Sequence, residues 1–141
     1  MPIHLIWGDD DASCERAIKI LIEKIVHPNW MSINLSRFEG QDILQANQAL
    51  EEAQTPPFGE GGRLIILRKS PLCNGCSNEL SSKFESISKQ IPINTYLILN
   101  NLNKPDKRLK TTKLIYELIQ SKKAFEQSFI LPSAWNIGGQ K

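Results

Sequence analysis

Hydrophobic positions gather into five short runs along the chain: Ile3–Trp7 and residues 32–36, 64–67, 96–99 and 125–131. Successive runs lie about thirty residues apart, the length of a strand plus a returning helix. Between them the apolar spacing changes. Ala17, Ile18, Leu21, Ile22 and Ile25 line one helical face, and Ile43, Ala46, Leu50 and Ala53 a second. Leu80, Phe84, Ile87 and Ile91 form a third, and Thr111, Leu114, Ile115 and Leu118 a fourth. Steps of three and four residues are those of amphipathic helices, so strand and helix alternate. Leu64-Ile65-Ile66-Leu67 and Tyr96-Leu97-Ile98-Leu99 are apolar on both strand faces, as central parallel strands covered by helices are. The pattern predicts an α/β fold, a five-stranded open parallel sheet with helices on both faces.

The polar punctuation agrees. Asp9, Asp10 or Asp11 can cap the first helix, and Asp42 sits in the first turn of the second, where negative charge suits the dipole. Pro56-Pro57 ends the second helix, and Gly59-Glu60-Gly61-Gly62 leads into the third strand. Lys104-Pro105-Asp106 is expected to open the fourth helix, and the stretch from Pro132 to Gly139 has the character of an exit linker.

At 141 residues the chain makes one domain, large enough to fold without a disulfide or metal staple. A composition of 40% hydrophobic and 23% charged residues excludes disordered and collagen-like classes. The longest unbroken apolar runs are four residues, far short of a bilayer span, and the start has no basic region of the secretory kind. The expectation is a cytoplasmic domain with no membrane association, either alone or as one piece of a larger chain. Net charge is +2, but residues 1–60 hold four basic and ten acidic side chains and residues 61–141 hold thirteen and five. Such asymmetry can mark a basic partner-binding face, or it can mix out where the halves interleave in space.

In an open α/β sheet, chemistry lies at the carboxyl ends of the strands. After the first strand comes Gly8-Asp9-Asp10-Asp11, with one glycine and three carboxylates. A phosphate-binding loop needs several glycines and a Lys-Ser/Thr pair. Paired acids there are also how phospho-accepting receivers hold magnesium, with a further Asp on the third strand. Here that strand ends Leu67-Arg68-Lys69-Ser70, so both phosphoryl readings lose their acidic partner. Cys73-Asn74-Gly75-Cys76 has the spacing of a redox or half-zinc motif, but His4 and His27, the only histidines, are isolated and distant from it. A turn built on Asn-Gly explains it as well. No catalytic constellation, metal site or cofactor site assembles.

Two features remain. Lys104, Lys107, Arg108, Lys110 and Lys113 form a basic run at the expected start of the fourth helix, where cations oppose the dipole. Contact with DNA or an acidic partner would repay that cost; a solvated face is the alternative. Second, Thr55-Pro56-Pro57-Phe58-Gly59 places an aromatic beyond two rigid prolines. Phe58 either serves a partner as a small hydrophobic plug or folds inward to cap the core, which spacing alone favours.

Trp7-Gly8-Asp9-Asp10, then Ala53-Gln54-Thr55-Pro56-Pro57-Phe58-Gly59 running to Arg63-Leu64-Ile65-Ile66-Leu67, resembles the N-terminal domain of the delta subunit of bacterial DNA polymerase III. Tyr96-Leu97-Ile98-Leu99 followed by Lys104-Pro105-Asp106-Lys107-Arg108 continues the likeness, which covers about residues 1–135. Leu72, Cys73, Cys76, Pro132 and Trp135 resemble the cyanobacterial branch. The resemblance implies an AAA+-like (P-loop NTPase-type) module without a functional nucleotide site, and a clamp-loader subunit that is not itself an enzyme. Residues 1–135 would then be the clamp-binding domain and 136–141 the start of a linker to absent C-terminal domains. It further implies docking on the beta sliding clamp through Phe58, Pro57 and Thr55, the last two smaller than the apolar residues of better-known relatives. The gamma/tau and delta prime subunits, and DNA in the assembled complex, are the other implied partners. A nucleotide-independent DNA-binding module and a degenerate P-loop or receiver-like phosphoryl enzyme are the alternatives.

Overall fold

Residues 2–132 are described by a computed structural model. Five strands, β1 (Ile3–Trp7), β2 (Leu35–Glu39), β3 (Arg63–Arg68), β4 (Thr95–Asn101) and β5 (Ala124–Ser128), form one sheet in the order β2-β3-β4-β1-β5. Every pairing is parallel. Right-handed crossovers then decide which face each helix takes. The step from β1 to β2 travels one way across the sheet, and the later steps travel back. Accordingly α1 (Asp11–Ile25) packs on one face, with Cys14, Ile18 and Ile22 against Ile6, Leu64, Ile66 and Ile98. Helices α3 (Ile43–Glu52), α4 (Asn78–Ile87) and α5 (Lys110–Gln120) share the other, over Ile3, Leu5, Ile65, Leu67, Leu97 and Leu99. The side-chain alternation of β1, β3 and β4 feeds both cores, which is why the central stretches of β3 and β4, Leu64–Leu67 and Leu97–Leu99, are apolar without a break. Burying each such Leu or Ile contributes about 1.5–3 kcal/mol.

Several features differ from the sequence pattern. Ser32 lies not in a strand but in a short helix, α2 (Met31–Asn34), so β2 begins at Leu35. The cause is tertiary: Asn34 is buried and bonded across to the loop before β3. Ile43, at the first position of α3, is 52% exposed; Ala46, Ala49, Leu50 and Ala53 make the buried face instead. The chain after β4 stays irregular through Leu109, and α5 starts only at Lys110. Phe125 is exposed on the edge strand β5, which ends at Ser128, with Ile130 and Leu131 also exposed. The exit-linker reading lies, from residue 133 on, outside the described residues. Among the described residues no helix is long and apolar enough to cross a membrane.

Candidate functional site

The sequence-predicted contacts separate to opposite ends of the sheet. The segment carrying Thr55, Pro57 and Phe58 precedes β3 and lies at the amino ends of the strands; the basic run follows β4 at the carboxyl ends. Seven-residue β4 sets these ends roughly 20 Å apart.

At the amino end, α3 gives out at Glu52 and the chain is pinned at once. The Thr55 hydroxyl donates to the Glu52 carbonyl at 2.5 Å, and the Thr55 carbonyl accepts from the Thr95 hydroxyl at 2.7 Å. Thr55 therefore secures the loop, with its polar atoms turned toward its own fold. Pro56 is exposed and Pro57 half-buried. Phe58 is then held by one residue on both sides of its backbone. Its N–H donates to Asn34 Oδ1 at 2.9 Å, and Asn34 Nδ2 donates to its carbonyl at 2.7 Å.

The ring does not fold inward. Phe58 is 56% exposed, which corrects the expectation that it caps the core. With its backbone fixed on Asn34, the ring rests against the Arg63 guanidinium, 5.9 Å from its centroid. Arg63 is itself 8% exposed, paired with Glu52 at 3.1 Å and donating to the Ile33 carbonyl at 3.3 Å. Beyond Phe58 the chain turns at Gly59, φ 63°, so close over Trp30 that an added Cβ would fall 2.1 Å from the indole. The Gly62 N–H closes the loop on the Ile25 carbonyl at 2.8 Å.

Asn34, Arg63 and Trp30 are absent from the sequence-level candidates. A signal was there: Asn34 interrupts the apolar stretch Ile33-Asn34-Leu35, and a polar residue in such a place needs a designated partner.

The carboxyl end holds the acid cluster. Asp10 caps α1, its carboxylate accepting from the Ser13 N–H at 3.1 Å and the Ser13 hydroxyl at 2.6 Å. Those bonds hold its carboxyl below the usual carboxylate range. Asp9 Oδ1 accepts from the Leu131 N–H at 2.7 Å. Gly8 has φ 137°, and a Cβ there would lie 1.9 Å from the Phe129 carbonyl oxygen, so the exit from β5 closes directly over this turn. Arg68 reaches Glu15 and lies 3.7 Å from Glu39.

The basic run is split between two settings. Lys104, Lys107 and Arg108 lie on the loop and only Lys110 and Lys113 on α5, which corrects the expectation of a run along a helix start. Arg108 is spoken for by Asp106 at 2.9 Å, and its hydrogen bonds hold the Asp106 carboxyl down at about 2. Lys107 lies 5.6 Å from the Tyr116 ring centroid. The Cys73 turn braces this loop, the Cys73 carbonyl accepting from the Asp106 N–H at 2.7 Å. All three cysteines are free thiols; Cys14 and Cys73 are buried, and burial pushes the Cys73 thiol up to about 11.

Comparison with known proteins gives this arrangement a context. The Bacillus subtilis DNA clamp loader delta protein matches with a TM-score of 0.76 at 24% identity, over 92% of this chain and 38% of that one. A gamma subunit-related protein of DNA polymerase III from Thermotoga maritima matches with a TM-score of 0.59 at 13% identity, over 96% of this chain and 43% of that one. At such identities the two likenesses speak to the fold, and the chain spans less than half the length of either structure. No curated protein matches. The sequence profile described as DNA polymerase III, delta subunit, matches residues 4–125, and by that match the chain belongs to the DNA polymerase III delta subunit family.

Proposed function

We propose that this chain serves DNA replication as part of a clamp loader, its domain binding the beta sliding clamp and helping to hold the ring open. The observation that carries the reading is Phe58, an aromatic more than half exposed on a backbone fixed from both sides, in a chain of the delta family. Docking Phe58, flanked by Pro57 and Thr55, into an apolar pocket releases binding energy. That energy shifts the clamp's population toward the open ring without chemistry.

The role is that of a non-catalytic, cytoplasmic accessory subunit. The gamma/tau and delta prime subunits are further partners when the chain forms part of a longer polypeptide. The turn that would cradle phosphate in an active relative carries three carboxylates and is covered by the Phe129 backbone, which supports a module that has lost nucleotide binding.

Titration against immobilised sliding clamp tests the reading. Truncating an aromatic anchor costs about 2 kcal/mol or more, so Phe58→Ala should weaken binding roughly thirtyfold while leaving the fold intact. Equal affinities would remove Phe58 from the interface.

A second contact is favoured by one observation. Lys104, Lys107, Lys110 and Lys113 lie beside the start of α5, whose N-cap Leu109 offers no side-chain acceptor. We assign this end to the DNA phosphate backbone in the assembled complex.

A further inference from the structure

Phe58 is more constrained than an exposed loop residue needs to be. The prolines before it limit φ, Gly59 after it turns against Trp30, and one fully buried amide binds both its backbone N–H and its carbonyl. The orientation of that amide is forced, because a backbone N–H only donates and a carbonyl only accepts. Arg63 then supplies a cationic face for the ring and ties the same place to α2 through the Ile33 carbonyl. Three separate segments thus converge on the one aromatic residue of the loop, whose side chain is left largely in solvent.

We infer that Asn34 and Arg63 are positioning residues for partner docking, holding Phe58 in its bound geometry before the clamp arrives. The inference rests on the proposed role of Phe58. Its physical basis is that ordering a free loop and an aromatic rotamer at the moment of binding subtracts from affinity, and a fixed ring avoids that loss. Asn34 spends both halves of its amide on the Phe58 backbone, so it sets where the ring starts. Arg63 sets which way the ring leans. Neither contacts the clamp itself.

The test is a double-mutant cycle on clamp affinity, with thermal unfolding measured alongside. Asn34→Ala should weaken clamp binding roughly tenfold in the wild-type background and less than twofold in Phe58→Ala, because without the ring there is nothing to position. Its effect on unfolding should be the same in both backgrounds. Arg63→Met keeps the aliphatic stem, loses the cation under the ring, and should follow the same pattern if Asn34→Ala does not fold. Equal losses of affinity in the two backgrounds would make these residues merely structural and overturn the inference. So would unchanged affinity in both single variants while Phe58→Ala still binds weakly. If Phe58→Ala itself binds like wild type, the parent reading fails first.

Discussion

Gly59→Ala is the sharpest single test of how the Phe58 turn is built. At φ 63° an L side chain sits in the left-handed region, which costs about 1–2 kcal/mol. The new methyl would also lie 2.1 Å from Trp30 Cε2 and 2.3 Å from Cζ2, overlaps that no rotation of a methyl can relieve. The indole or the turn has to move, and comparable overpacking costs about 1–3 kcal/mol. Together the substitution should destabilise the domain by about 2–5 kcal/mol, against a total stability of about 5–15 kcal/mol. At a urea dependence of about 2 kcal/mol per molar, the midpoint should fall by about 1–2.5 M. Trp30→Ala separates the two causes, because it removes the ring and leaves the backbone strain. In that background Gly59→Ala should cost only about 1–2 kcal/mol. Urea unfolding followed by circular dichroism gives all four corners of the cycle. Full additivity, or a Gly59→Ala variant within about 0.5 kcal/mol of wild type, would refute the packing of this turn on Trp30.

Two further expectations concern the carboxyl end. The Asp106 carboxyl should titrate near 2 in a pH series followed by NMR, and Arg108→Gln should return it toward its ordinary value near 4. Because the native pKa is the lower one, the contribution of this pair to stability is complete above about 4 and disappears as pH falls through 2. On the assigned DNA contact, Lys107→Glu with Lys110→Glu should weaken binding to a primer–template duplex in fluorescence anisotropy. The double logarithmic salt slope should shrink in magnitude by about 2, and an unchanged slope would place DNA elsewhere.

Central elements were legible in the sequence because burial on both faces writes itself into composition. β1 matches its hydrophobic run end to end, and β3 and β4 extend theirs by one or two polar residues at each margin. Edge elements were less legible. Only part of an edge strand is buried, so β2 and β5 carry mixed patterns that local spacing misplaces. Asn34 shows the limit most clearly: its bonds span 24 residues, and no local period registers such a pairing. The late start of α5 has the same origin, since the loop before it is held by the Cys73 turn rather than by helical bonds. Of the site, the sequence marked Phe58 and the basic run but not their placement at opposite ends of the strands. That separation follows from chain direction in a parallel sheet, once the loop is known to precede β3 and the run to follow β4.

The proposed function places clamp contact at the amino end of the sheet, through Phe58. The most direct measurement is an NMR titration of the isotope-labelled chain with unlabelled clamp. Shifts and broadening are expected to concentrate at the amides of Asn34, Phe58, Gly59 and Arg63, with residues 104–113 unaffected in the absence of DNA. Perturbation centred on residues 8–11 or 104–113, with the Phe58 region silent, would contradict it.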